Sequence, residues 1–211
     1  MIDDLACLTY LLAHDETAEG PYDRSRTALL LRAAALTDLA LRGRLGEEHG
    51  TVTVHGTGST GDPVLDGVLR EAAGHGWKHL VRRHRRRTLT EVEDRLAAAG
   101  LLTVRASRGL LGSRRSTTVD ASAAAAVRDR VLAALHGTGP VERLPAADAA
   151  LLALAAAGGI PSVVPRRHRT LHPSRVDACT RRLGALAPGL ERTVRTLPTT
   201  MIAARGGMGG G

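Results

Sequence analysis

Apolar residues recur at helical spacing along most of the chain, in runs separated by glycine and proline. Ile2 to Ala13 places Leu5, Leu8, Leu11 and Leu12 on one stripe, with Asp3 and Asp4 in the first turn where a helix dipole favours acid. An amphipathic first helix is expected. The next run, about Ser25 to Arg44, is apolar almost all round from Ala28 to Leu41, interrupted by Arg32, Thr37 and Asp38. A helix of that kind belongs at the centre of a bundle, and Gly46 is expected to end it. Thr51 to His55 alternates as a short strand. A loop from Gly56 to Gly61 follows, and Asp62 with Pro63 predicts an N-cap and an N1 proline for a helix reaching about Ala73.

Downstream, Trp77 to Arg87 reads as a basic helix, or a helix and loop. Thr88 with Glu91 has the spacing of a capping box, which predicts a helix running to Ala99 and stopping at Gly100. Leu101 to Ala106 and Ser116 to Asp120 are expected to pair as a hairpin around Gly109 and Gly112. Further helices are expected at Ala121 to His136, Ala146 to Ala157 and Ser174 to Leu186, with a disordered glycine-rich tail from Gly206 to Gly211. The pattern therefore predicts a mostly α, single globular domain over residues 1–205. Its form is a central helical bundle surrounded by amphipathic helices, with one short β-hairpin.

Composition sharpens this picture. The chain has 211 residues, no Phe, one Trp and two Tyr, so its core must be aliphatic and suits closely packed Ala- and Leu-rich helices. The net charge of +8 argues for an anionic partner. Lys78 is the only lysine, and the arginines that replace it offer planar forks suited to phosphate. GC-rich codons give the same bias, which points to a bacterial chain. Cys7 and Cys179 are too few and too isolated for a disulfide framework or a thiolate metal site. With Asp3 and Asp4 near the N-terminus and no apolar run of spanning length, a cytoplasmic location is expected.

The candidate motifs narrow the chemistry further. Gly56, Gly58 and Gly61 spell a dinucleotide fingerprint, but Asp62 would face the pyrophosphate with negative charge, and no further parallel strands follow. His75 and His79 share a helical face near His84, with Lys78 and Arg82 adding positive charge, so no metal site is expected. No nucleophile elbow, Walker loop or cysteine-based motif occurs, so neither catalytic residues nor a cofactor are expected. The strongest electrostatic feature is Arg82, Arg83, Arg85, Arg86 and Arg87 around His84. Arg32 is also informative, because a charge within an apolar helix must snorkel, pair, or meet an anionic ligand. Two binding functions fit these charges. One is docking on an anionic membrane surface; the alternative is a winged-helix-like nucleic-acid reader spanning Thr88 to Val119, with the arginines on DNA phosphates.

Four segments together resemble the Golgi phosphoprotein 3 family. They are Leu5 to Leu12, the stretch from Asp38 to Leu45 (DLALRGRL), the stretch from Thr60 to Asp66 (TGDPVLD), and Val92 to Leu102 with the hairpin after it. The resemblance runs from about Ile2 to Leu154. It implies a mostly helical, non-enzymatic, peripheral membrane adaptor that binds phosphatidylinositol 4-phosphate or another anionic lipid headgroup. Arg32 would match the family's pocket arginine on the central helix, and Arg86 one of the basic pair before the following helix. Leu89 stands where the second of that pair would be, with Arg85 and Arg87 available to compensate, and Tyr22 or Asp23 falls where the family has a tryptophan. Arg82 and Arg83 would form a basic membrane patch. The hairpin, with Leu110 and Leu111 at its tip and Arg108, Arg114 and Arg115 beside them, would match the family element for membrane contact and self-association. The implied partners are lipid headgroups, a client protein, and a second copy of the chain through the hairpin.

Overall fold

Every residue from Thr27 to Ala40 is buried, so the apolar run of the second helix sits where the pattern put it, at the centre of the molecule. The computed structural model describes residues 3–109, 112–163 and 172–206, without the side chains of 106–109, 112–116 and 203–206. Around the central helix α2 (Arg24–Leu41) pack α1 (Leu5–Ala13), α3 (Pro63–Arg70), α4 (Trp77–Arg82), α5 (Arg85–Ala98), α7 (Ala146–Gly158) and α9 (Pro188–Gly206). Helix α6 (Ala121–His136) lies on α1 and α7, and α8 (Pro173–Gly184) on α7 and α9. The helices form one compact, mostly helical domain around a single aliphatic core.

The strands are short antiparallel pairs. The expected hairpin is β5 (Leu102–Gly109) with β6 (Gly112–Val119), in a register that sets Leu102 opposite Val119 and Arg105 opposite Ser116. Two further pairs accompany it: β1 (His14–Asp15) with β2 (Gly20–Pro21), and β3 (Leu45–Glu48) with β4 (Thr51–Val54).

Several boundaries differ from the sequence expectation, each for a local reason. Helix α1 is buried on all sides, because α2, α5, α6 and α7 enclose it; its polar Tyr10 is carried inward and satisfied there. Asp4 does not lie in its first turn but caps it, accepting from the Cys7 amide. Helix α2 ends at Leu41 rather than at Gly46. There the Gly43 amide donates to the Ala40 carbonyl and the Arg44 amide to the Leu39 carbonyl, with Gly43 at φ 66°, which is a Schellman ending. Gly46 instead lies in β3, opposite Thr53. Gly43→Ala is expected to cost about 1–2 kcal/mol, since a Cβ is strained in the left-handed region. Urea unfolding checks this, and an unchanged midpoint would show that the chain leaves α2 by another route.

Thr88 does not open a helix. Helix α5 begins three residues earlier, at Arg85, and Thr88 lies buried inside it. Asp62 behaves as expected, its Oδ1 accepting from the Val64 and Leu65 amides at the start of α3. Arg95, in the last turn of α5, pairs with Asp62 and, at 3.4 Å, with Asp4, tying the starts of α1 and α3 to the end of α5. Helix α9 was not expected, because Pro198 lies within it; its buried Leu190, Val194, Leu197 and Met201 nevertheless form a core stripe. Residues 207–211 of the expected tail lie outside the described residues.

Candidate functional site

The arginine run does not form one straight helix. Trp77, Leu80 and Val81 bury one face of α4, which ends at Arg82. Arg83 is extended, and His84 adopts a left-handed conformation at φ 49° and ψ 22°, so the chain turns a corner before α5 starts at Arg85. No side chain among the described residues caps that start. Its first amides and the positive end of the helix dipole therefore face the same corner as the arginines. Arg82, Arg83 and Arg86 are exposed and make no ion pair among the described residues, while Arg85 is half-buried and donates to the Arg82 carbonyl at 3.4 Å. Arg87 is held by Glu91 at 2.7 Å, which keeps its guanidinium above its ordinary pKa.

Beneath this corner lies Arg32, only 2% exposed. Its Nε donates to the Leu80 carbonyl at 3.1 Å, Nη1 to Thr88 Oγ1 at 3.3 Å and Nη2 to Glu71 Oε2 at 2.8 Å. Of the three fates open to this charge in the sequence, the structure shows pairing. The guanidinium joins the end of α3, the body of α4 and the first turns of α5. Burial pushes its pKa below the ordinary value, and the hydrogen bond and charge of Glu71 oppose that.

A cavity of about 400 Å³ opens between the first turns of α2 and α5, lined by Arg24, Ser25, Ala28, Arg86, Leu89 and Thr90. Arg86 and Leu89, which the resemblance put before the following helix, lie inside α5 one turn apart and both line the cavity, and Arg24, which sequence reading did not single out, lines it from α2. Arg24 pairs end-on with Glu93, at 2.7 and 2.9 Å, and Glu93 is fully buried. Glu93 also accepts from the Tyr10 hydroxyl, which in turn meets Thr117 at the foot of the hairpin. One signal for Glu93 was present in the sequence: it falls on the same helical stripe as Leu89, Val92 and Leu96, all of them buried.

Tyr22 stands apart from this cavity. Its hydroxyl donates to the Gly158 carbonyl at 2.7 Å, burial raises its pKa to about 12, and it lines a different cavity of about 480 Å³ with Leu12, His14, Arg128 and Ile160. Asp23 caps α2. The chain's only tryptophan, Trp77, is buried and donates to Glu47 at 3.0 Å. On the hairpin, Arg108, Arg114 and Arg115 lie opposite Ser113, Ser107 and Ala106, while Leu110 and Leu111 lie outside the described residues.

The remaining motifs resolve into local structure. In the glycine loop, Ser59 and Thr60 turn their donors onto Asp66, which holds that carboxyl below its ordinary pKa. Those groups are thus spent within the loop. His75 and His79 stack at 5.0 Å, and no cluster of three or more metal-ligating side chains occurs among the described residues. Cys7 and Cys179 are buried, free thiols, whose pKa values burial pushes up. No helix among the described residues is long and apolar enough to cross a membrane.

Residues 5–197 match the family model described as Golgi phosphoprotein 3 (GPP34). The chain belongs to the Golgi phosphoprotein 3 family. No curated protein matches it. Membership does not favour the winged-helix alternative, and neither does the packing: α5 buries Leu89, Val92, Glu93 and Leu96 against the bundle and carries acidic Glu91 and Asp94 on its outer side. In this Golgi phosphoprotein 3 family member, the DLALRGRL block forms the Schellman ending of α2, and the TGDPVLD block forms the cap of α3.

Proposed function

We propose that this chain is a non-enzymatic peripheral adaptor that docks on anionic lipid headgroups, phosphatidylinositol 4-phosphate first among them, through the corner between α4 and α5. The observation that carries this reading is the contrast among its arginines. Arg87, Arg130, Arg181 and Arg195 each meet a carboxylate on their own surface, and Arg70, Arg143 and Arg192, which have no ion pair among the described residues, stand on separate elements, whereas Arg82, Arg83 and Arg86, also without one, share a single corner. Cations gathered at an uncapped helix start attract a polyanionic surface, and each one near such a surface contributes about 1 kcal/mol. Arg32 serves the site by holding α3, α4 and α5 in register beneath it. The hairpin, with Arg108, Arg114 and Arg115, offers a second contact for membrane or for another copy of the chain.

Co-sedimentation with phosphatidylcholine vesicles tests this reading. Vesicles carrying phosphatidylinositol 4-phosphate or phosphatidylserine are expected to bring the protein down at physiological ionic strength, the first more efficiently, and plain vesicles are not. If no anionic vesicle does so, the reading fails.

A further inference from the structure

The cavity between α2 and α5 contains a guanidinium that is already held in place. Arg24 spends two of its five N–H groups on Glu93, one from each Nη. Glu93 is fully buried, and Tyr10 holds it from the other side, so the carboxylate works as a fixed post. End-on pairing of this kind leaves Nε–H and one N–H on each Nη with no partner among the described residues. Arg24 is 44% exposed and lines the cavity. On the facing helix stands Arg86, exposed and without an ion pair among the described residues, and Thr90 and Ser25 line the cavity with the two arginines. Leu89 and Ala28 give the cavity an apolar floor.

We infer that Arg24 and Arg86 together grip a phosphate monoester across this cavity, with Arg24 as the residue that sets specificity for a phosphorylated over a merely anionic headgroup. The inference rests on the proposed docking function and deepens it. A dianionic phosphate has three acceptor oxygens, enough to engage two forks at once. A phosphodiester or a serine carboxylate presents less charge and fewer free oxygens, so it gains little from the second fork. Prior fixing of Arg24 by Glu93 reduces the side-chain entropy that the ligand must otherwise remove. Leu89 offers the cavity no donor, and the N–H groups that Arg24 leaves free of Glu93 stand across from it. Arg24 approaches from α2, on the opposite wall, so a second cation reaches the cavity without standing on α5.

The test uses the full chain and three variants. Arg24→Lys keeps the charge and one bond to Glu93 but has no outer fork. Arg24→Gln combined with Glu93→Gln removes the arginine without leaving a buried carboxylate unpaired, and Arg86→Gln removes the facing fork. Each is measured for binding to phosphatidylcholine vesicles containing phosphatidylinositol 4-phosphate, and to vesicles containing phosphatidylserine at matched total charge. Folding is checked by thermal melt. All three variants are expected to lose about tenfold of the preference for the phosphorylated lipid, the size of one charge-assisted hydrogen bond. The two Arg24 variants keep the net charge and should bind phosphatidylserine vesicles to within a few-fold of wild type, whereas Arg86→Gln removes a charge of the docking corner and should weaken that binding about fivefold as well. An unchanged preference in folded Arg24→Lys and the double variant overturns the fork and leaves the docking function standing.

Inorganic phosphate is titrated alongside to separate a lipid headgroup from a soluble phosphate. If wild type holds inorganic phosphate through Arg24 while showing no lipid preference, the fork is upheld and its source is a soluble phosphomonoester. If wild type binds neither anionic vesicles nor phosphate, both readings fall together.

Discussion

Replacing Arg32 with alanine is expected to lower stability by about 3–5 kcal/mol, the largest effect of any single exposed or buried arginine considered above. The side chain is 2% exposed, and its three hydrogen bonds span α3, α4 and α5. Its removal leaves the Leu80 carbonyl and Thr88 hydroxyl without their donor, and Glu71, itself only 21% exposed, without its counter-charge. For a domain of this size, 3 kcal/mol corresponds to roughly a 10 °C drop in melting temperature. Thermal and urea unfolding measure it. Arg32→Ala combined with Glu71→Gln should recover part of the loss, because the stranded charge is gone. A surface arginine, by contrast, would change stability by no more than about 0.5 kcal/mol, and a change that small at Arg32 would contradict the pairing.

The second large effect is on binding rather than stability. Arg82→Gln with Arg83→Gln is expected to weaken binding to every anionic vesicle by roughly thirtyfold, taking about 1 kcal/mol for each charge near the surface. Both side chains are exposed and without ion pairs among the described residues, so the melting temperature should stay within about 2 °C of wild type. Salt dependence should flatten too, since these charges act through a screened field. The ratio of binding between phosphorylated and plain anionic lipid should hardly move. Loss at the corner would thus be general, whereas loss at Arg24 would be selective. If the paired substitution left the affinity for phosphatidylserine vesicles intact, the α4–α5 corner would not be the docking surface.

The sequence made some of this legible and hid the rest, for identifiable reasons. Helix α2 could be read because an apolar run of that length has only one place to go. Asp62 with Pro63 could be read because a cap is a local interaction: its acceptor and its amides lie within three residues. Family membership was legible in blocks that turn out to be structural punctuation. The surroundings of α1 were not legible, because periodicity shows which face is apolar and says nothing of what later elements will cover. Thr88 misled for the same reason. Its spacing to Glu91 suited a cap, but its hydroxyl is taken by Arg32, 56 positions earlier. Pro198 concealed α9, although Leu190, Val194, Leu197 and Met201 carry a helical stripe on either side of it. The meeting of Arg24 with Arg86 depends wholly on how α2 crosses α5, which no local pattern encodes.

The foot of the hairpin has a kinetic consequence. Thr117 is held at three points: its amide donates to the Glu19 carbonyl, its own carbonyl meets His14 Nε2 at 2.8 Å, and its hydroxyl meets Tyr10 at 3.1 Å. Leu102 and Val119 are buried at the same end, while Thr103, Arg105 and Thr118 are exposed. Two strands paired only with each other are marginally stable in water. The ladder is therefore expected to open from its distal rungs inward and to stop at Thr117, whose three contacts tie it to the core. Amide exchange along one short ribbon should consequently span two regimes, local fraying at one end and global unfolding at the other.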